Sequence, residues 1–267
     1  MDVEANGIRI SYTIEGDGPP VVLLHGYQLD RSFWEPQVRA LRGRYRVIVP
    51  DLRGFGSTPV GSAADSTMAL MADDVRALLD RVGVREPVVL GGVSMGGYVA
   101  FAFYRAFRER VRALILADTR AGADTPEARQ ARLSIAERVE ASGDTQPAVD
   151  ALYPNLMAPA SYDRPELVGQ IRAMSGRLTP AGVAAALRGM AARPSSVELL
   201  GQIDRPTLIV VGEHDVLTPP SEAEAMHQAI PGAELVVIPA VGHLSTLEAP
   251  DEVNRAILAY LERHGIA

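Results

Sequence analysis

Val3 and Ala5 alternate with polar neighbours as far as Asn6-Gly7, and Ile8, Ile10 and Tyr12 resume the alternation beyond it. A two-residue turn of this kind needs positive φ values, which asparagine and glycine tolerate, so the chain is expected to open with an antiparallel pair. The pattern then changes to short, unbroken apolar runs rich in β-branched residues: Val21 to Leu24, Arg46 to Val49, Pro87 to Leu90, Leu114 to Ala117, Thr207 to Val211 and Leu235 to Ile238. Runs without alternation suit strands covered on both faces. Between most of them the apolar positions recur with helical spacing, over Ser32 to Arg42, Thr67 to Val82, Met95 to Phe107, Ser221 to Ala229 and Asp251 to Arg263. Strand and helix in alternation specify an α/β fold, a mostly parallel sheet with right-handed crossovers, here of eight strands once the opening pair is included.

The alternation lapses once. From Arg120 to Ser196 no β-branched run occurs, and Ala, Arg, Leu and Met recur with helical spacing. Pro126, Pro147, Pro154, Pro159, Pro165, Pro180 and Pro194 divide this stretch, because proline ends or kinks a helix. The expected organisation is a core formed by residues 1–119 and 197–267, with a helical cap (lid) inserted at 120–196.

Composition removes several chemistries. The 267 residues include no Cys, so thiolate nucleophiles and cysteine metal sites are excluded. All 26 basic residues are Arg, which excludes a Schiff-base or P-loop lysine. Against them stand 33 acidic residues, a net charge of -7. With Arg scattered rather than clustered, no nucleic-acid partner is expected. The first residues lack the basic start and apolar run of a signal peptide, and no apolar stretch approaches the roughly 20 residues that span a bilayer. A soluble cytoplasmic protein with no membrane partner is expected, of unspecified oligomeric state.

The chemistry concentrates at Gly92-Val93-Ser94-Met95-Gly96, which runs from a buried strand into a helix. This is a nucleophile elbow: the sharp turn forces the serine into strained dihedrals and presses the flanking positions against their neighbours, so only glycine fits there. The strain leaves a hydroxyl exposed at the positive end of a helix, where an oxyanion is stabilised.

On these residues the sequence resembles the α/β-hydrolase-fold enzymes over nearly its whole length. The resemblance implies an oxyanion loop at Leu23-Leu24-His25-Gly26-Tyr27, with the main-chain N–H groups of Tyr27 and Met95 as the paired donors. His25 then reads as a brace for that loop. The family's order of nucleophile, acid and histidine points downstream of Ser94. His243, in Val241-Gly242-His243-Leu244 before the final helix, is the implied base, and Asp215, in Gly212-Glu213-His214-Asp215, the implied acid. Asp118 and Glu213 compete for that last role, since some relatives carry the acid after the preceding strand. His214, His227 and His264 read as surface positions. Pro50-Asp51-Leu52-Arg53-Gly54-Phe55-Gly56 resembles a family turn in which Asp51 and Arg53 tie loops together. Trp34, Met157, Met174 and Met190 are candidate pocket-lining side chains, with core packing as the competing use.

The implied activity is hydrolysis of carboxylic esters or lactones through an acyl-enzyme on Ser94, with no cofactor and no metal and a small-molecule ester or lactone as partner. The elbow and cap are especially similar to those of carboxylesterases and 3-oxoadipate enol-lactonases. Serine stands where related dehalogenases and epoxide hydrolases place aspartate, which argues against their reactions. Carbon–carbon bond hydrolases and cofactor-free perhydrolases or haloperoxidases share the triad and are the alternatives within catalysis. A ligand receptor with a retained hydrolase pocket is the alternative outside it. Activity governed by His243 should rise with pH through an apparent pKa of roughly 6 to 7.

Overall fold

Successive residues of the central strands divide between two cores, one on each face of the sheet. Val22, Leu24, Ile48, Leu90, Leu116 and Ile209 point into one, and Val21, Leu23, Val47, Val89, Ile115 and Leu208 into the other. Side chains alternate across a strand, so a run of consecutive apolar residues is stable only when both faces are covered. The structure, a computed structural model, describes residues 1–62 and 64–266.

The eight strands are β1 (Asp2–Ala5), β2 (Ile8–Glu15), β3 (Pro20–Leu24), β4 (Arg46–Pro50), β5 (Val88–Val93), β6 (Val111–Ala117), β7 (Thr207–Gly212) and β8 (Glu234–Ile238). They form one sheet in the order β1-β2-β4-β3-β5-β6-β7-β8. β1 and β2 pair antiparallel with Ala5 opposite Ile8, as the turn at Asn6 (φ 48) and Gly7 (φ 76) dictates. β2 also runs antiparallel to β4, and every later pairing is parallel. The expected α/β architecture, a mostly parallel eight-stranded sheet, is the one observed.

Helices follow the strands closely where the sequence carries caps. The core helices are α1 (Glu35–Leu41), α2 (Met68–Arg81) and α3 (Met95–Ala106); after β6 come α4 (Pro126–Ser142), α5 (Gln146–Leu152), α6 (Pro165–Ser175) and α7 (Pro180–Ala191). The chain closes with α8 (Val197–Leu200), α9 (Pro220–Ala229), α10 (Ser245–Glu248) and α11 (Pro250–Arg263). Thr67 caps α2 by accepting from Leu70 N–H. The expected helix at Ser32 to Arg42 divides in two: a 3₁₀ turn at Arg31–Trp34, capped by Asp30, precedes α1. Pro36 sits in the first turn of α1, where its missing N–H costs no helical bond.

Between β6 and β7 every regular element is helical. Pro126, Pro147, Pro165 and Pro180 each occupy the first turn of a helix, while Pro154 and Pro159 start 3₁₀ turns. Six of the seven prolines therefore begin elements of this insert rather than interrupting them, and Pro194 lies in the connection between α7 and α8. Its two ends are clasped by a bond from Ser196 N–H to the Ala121 carbonyl at 2.8 Å.

The chain leaves β3 toward β4 on one side and later returns to place β5 on the other. At such a switch point, adjacent connections diverge and open a crevice at the carboxyl ends of the strands. β3 ends at Leu24, shortly before Tyr27, and β5 ends at Val93, directly before Ser94, so the topology brings both loops to that crevice.

Candidate active site

Ser94 is held at φ 51 and ψ -114, a region L-residues rarely adopt. Surrounding bonds impose this conformation: Ser94 N–H donates to the Ala117 carbonyl at 3.0 Å, and Thr119 Oγ1 donates to the Ser94 carbonyl at 2.8 Å. The flanking glycines permit it. A Cβ on Gly92 would lie 2.3 Å from the Gly96 backbone, and one on Gly96 would lie 2.2 Å from the Leu24 carbonyl oxygen. Both contacts are against backbone, which cannot swing aside.

The His243 ring lies between Ser94 and Asp215. Nε2 is 2.9 Å from Ser94 Oγ and Nδ1 is 2.8 Å from Asp215 Oδ2. The loop after β7 orients the carboxylate from behind. Leu217 and Thr218 N–H groups donate to Oδ1 at 2.8 and 2.9 Å, and Thr218 Oγ1 donates to Oδ2 at 2.7 Å. Thr218 escaped the sequence reading, although an Asp followed three residues later by Thr is the local signature of a side chain turning back on its own backbone. Its Oγ1 also lies 3.3 Å from His243 Nδ1.

Burial by itself would push the Asp215 pKa up, but the neighbouring imidazole and the bonds from Thr218 outweigh it and hold the carboxyl below its ordinary value. For His243, burial would push the pKa down, and the Asp215 charge and hydrogen bond outweigh it, holding the imidazole above the ordinary 6.5. A base works only when neutral. Loss of the proton therefore switches such a site on as pH rises, and the ascending limb of kcat/KM is expected to have its midpoint above 6.5. Initial rates across pH 5 to 9 on one ester check this; a limb absent or centred well below that value removes His243 from the base role.

The competing acids have other work. Asp118, inaccessible to solvent and itself at φ 43, accepts from Gly212 N–H at 2.9 Å and from Ser245 Oγ at 2.6 Å. It ties β6 to the loops that carry Asp215 and His243. Burial, then the nearby Asp215 charge, push its pKa up to about 8. Glu213 is half exposed and accepts from Ala240 N–H at 2.8 Å. Glu248, buried and not anticipated from sequence, accepts from Gly242 N–H at 2.9 Å, Leu244 N–H at 3.2 Å and Ala158 N–H at 2.9 Å. One carboxylate thus clamps the His243 loop and fastens it to the helical insert.

Tyr27 and Met95 flank the serine. Met95 is the first residue of α3, so its N–H has no intrahelical acceptor. The loop carrying Tyr27 comes close, for a Cβ on Gly26 would lie 3.5 Å from that of Ser94. His25 holds this loop: Nδ1 is 2.8 Å from the Gly26 carbonyl, and Nε2 accepts from Leu52 N–H at 2.9 Å. Asp51 accepts from the Arg31 and Ser57 N–H groups, each at 2.8 Å, and Arg53 pairs with buried Asp74, so both join loops below the crevice.

A cavity of about 150 Å³ opens over Ser94 and His243. The core contributes Tyr27, Leu29 and Leu244, and the insert Leu152, Leu156 and Met190, with Arg120 and Arg132 supplying the charge. Of the four side chains read as pocket candidates, Met190 is in this wall. Trp34, Met157 and Met174 are not: all three are buried in the core on the α1 and α11 side, and Trp34 stacks edge-on against Phe33 at 5.3 Å. Apolar bulk suits a core and a pocket equally, and only the packing separates them. Among the described residues no cluster of three His, Asp or Glu side chains is arranged to hold a metal, and no helix is long and apolar enough to cross a membrane.

Residues 19–250 match the model of the alpha/beta hydrolase fold family. The chain belongs to this family. It is similar to a thermophilic esterase from Thermogutta terrifontis, solved with malate bound, at 43% identity and a TM-score of 0.95 over 99% of both chains. A 3-oxoadipate enol-lactonase of Acinetobacter baylyi is 32% identical over 94% of this chain and 92% of its own. The enol-lactonase of Burkholderia xenovorans superposes with a TM-score of 0.90 at 26% identity, over 98% of this chain and all of its own. Family members with such names act on ester bonds, cyclic or open.

Proposed function

We propose that the protein is a serine hydrolase of carboxylic esters or lactones. The observation that carries this reading is the single line of contacts from Ser94 Oγ through His243 to Asp215, at 2.9 and 2.8 Å, opening into a cavity. Ser94 Oγ attacks the carbonyl carbon as His243 Nε2 takes its proton. The negative charge that forms on the carbonyl oxygen is received by the N–H groups of Tyr27 and Met95, which are backbone donors and need no reorganisation. Collapse breaks the bond to the leaving oxygen, and the imidazolium returns the proton to it. A water then repeats the sequence on the acyl-enzyme, with His243 as base, and releases the acid and free Ser94. Asp215 holds the Nδ1–H tautomer throughout and stabilises the imidazolium. In a lactone the leaving hydroxyl stays joined to the acyl group, so one hydroxy acid is released.

Stopped-flow hydrolysis of short and medium p-nitrophenyl esters tests this. The expected trace is a rapid release of about one nitrophenolate per protein, then steady turnover. A burst followed by no turnover would favour a ligand receptor. Absence of both for these esters and for lactones would overturn the hydrolase reading.

A further inference from the structure

Three guanidinium groups converge on one buried carboxylate beside the cavity. Asp124 Oδ1 accepts from Arg120 Nη2 at 2.9 Å and from Arg193 Nη1 at 2.7 Å, and Oδ2 accepts from Arg132 Nε at 2.7 Å. Asp124 carries one negative charge against three positive ones. Glu222 on α9 adds to the field felt by Arg120 but bonds to none of the three. At least one positive charge therefore stands uncompensated in a partly desolvated place, where it is costly unless an anion joins it.

The surplus is aimed at the cavity. Arg193 is spent inside the protein: it is buried, lies 4.0 Å from the Tyr98 ring centre, and donates to the Met190 and Gly122 carbonyls. Arg120 and Arg132 instead line the cavity over Ser94, where their side chains remain 22% and 23% exposed. Arg120 Nε is buried and meets no acceptor among the described residues. Arg132 commits only Nε to a protein acceptor among them, which leaves both Nη groups available. No Asp or Glu lines that cavity. Asp124 thus holds two guanidinium groups at the cavity wall, where the Nη groups of Arg132, beside the partly exposed Arg120, are donors left over for a small anion.

We propose that Arg120 and Arg132 form a carboxylate-recognition subsite, so that the substrate opened at Ser94 is an ester or lactone that itself carries a free carboxylate. This rests on the serine hydrolase reading and deepens it. The small cavity suits a compact acid, and recognition by a rigid fork penalises a neutral analogue because the guanidinium donors stay unpaired.

Matched substrates test it. Monomethyl glutarate and methyl pentanoate differ only by a carboxylate on the acyl side, and acetoxyacetate and ethyl acetate only by one on the alcohol side. The expected result is a preference of about 10-fold or more in kcat/KM for the charged member of at least one pair. Arg120→Gln and Arg132→Gln should each lower kcat/KM on the preferred charged ester about 10-fold or more beyond any change on its neutral partner. No preference in either pair, or equal losses on charged and neutral esters, would overturn the subsite and leave the arginines a purely structural role. Calorimetric titration of glutarate into Ser94→Ala separates the two readings, since it needs no turnover. Binding that Arg132→Gln removes supports the subsite even if no ester is hydrolysed. Absence of binding alongside brisk neutral-ester hydrolysis defeats the subsite alone.

Discussion

Ser94→Ala is expected to lower kcat by on the order of 10⁶-fold on any ester the protein accepts, with the fold retained. Among the described residues Ser94 Oγ is the group hydrogen-bonded to His243 Nε2, at 2.9 Å and at the start of α3, so its loss leaves the base without a nucleophile to activate. Alanine keeps the Cβ and therefore the same strained turn, and it removes one hydrogen bond whose net worth is about 1 kcal/mol. Thermal unfolding should shift by only a few degrees. Steady-state rates and circular dichroism on the same preparation check both halves. Hydrolysis within about tenfold of wild type would place the nucleophile elsewhere.

Asp215→Asn should cost about 10⁴-fold in kcat, whereas Asp118→Asn should cost less than about tenfold. The difference follows from what each carboxylate accepts. Asp215 Oδ1 receives two N–H groups, from Leu217 and Thr218, so an asparagine must keep its oxygen there and turn its NH₂ toward His243 Nδ1. That amide donates where the carboxylate accepted. It forces the proton to Nε2, and the ring loses the lone pair that faces Ser94. Asp118 makes no bond to the imidazole; it joins Gly212 and Ser245 instead. Its amide variant should lose about 1 to 3 kcal/mol of stability through the bonds it can no longer accept. Kinetics of both variants and their unfolding midpoints measure this. Near-normal turnover of Asp215→Asn with an inactive Asp118→Asn would transfer the acid role.

Much of the frame was legible because its signals are local. Asn6-Gly7 needs only its own dihedrals to specify a hairpin, and an unbroken Val21 to Leu24 run needs two covering layers wherever it sits. The elbow glycines announce a turn that no larger residue enters. The 3₁₀ turn ahead of α1 was missed because Arg31–Trp34 leads into Pro36 and the first turn of α1 with no break in the helical spacing of Ser32 to Arg42. Periodicity registers the face of a helix and not where its first turn tightens.

The site was less legible the further its contacts reach along the chain. Asp118 follows β6 and Asp215 follows β7; the resemblance carried by Gly212-Glu213-His214-Asp215 favours Asp215, but the contacts that orient it toward His243, and those that tie Asp118 to Gly212 and Ser245 instead, join segments far apart in the chain. Glu248 serves a loop six residues away and a segment ninety residues away, and the second contact has no sequence signature. Trp34 and Met190 are equally apolar, yet one is enclosed between α1 and the sheet and the other faces the cavity. The arginines on Asp124 read as scattered charge until α4 packs on α7 and the segments that flank these helices meet at Asp124.

The sequence by itself determined the α/β alternation, the hairpin, the strained serine turn and the short set of residues able to assist it, because each depends on backbone sterics and periodicity within a few neighbours. The tertiary structure alone decided how the acid and the histidine are held in line, which apolar side chains form the cavity wall and where the unpaired positive charge points. Those outcomes depend on distances between segments far apart in the chain, which are set by sheet order and by the packing of the insert on the core.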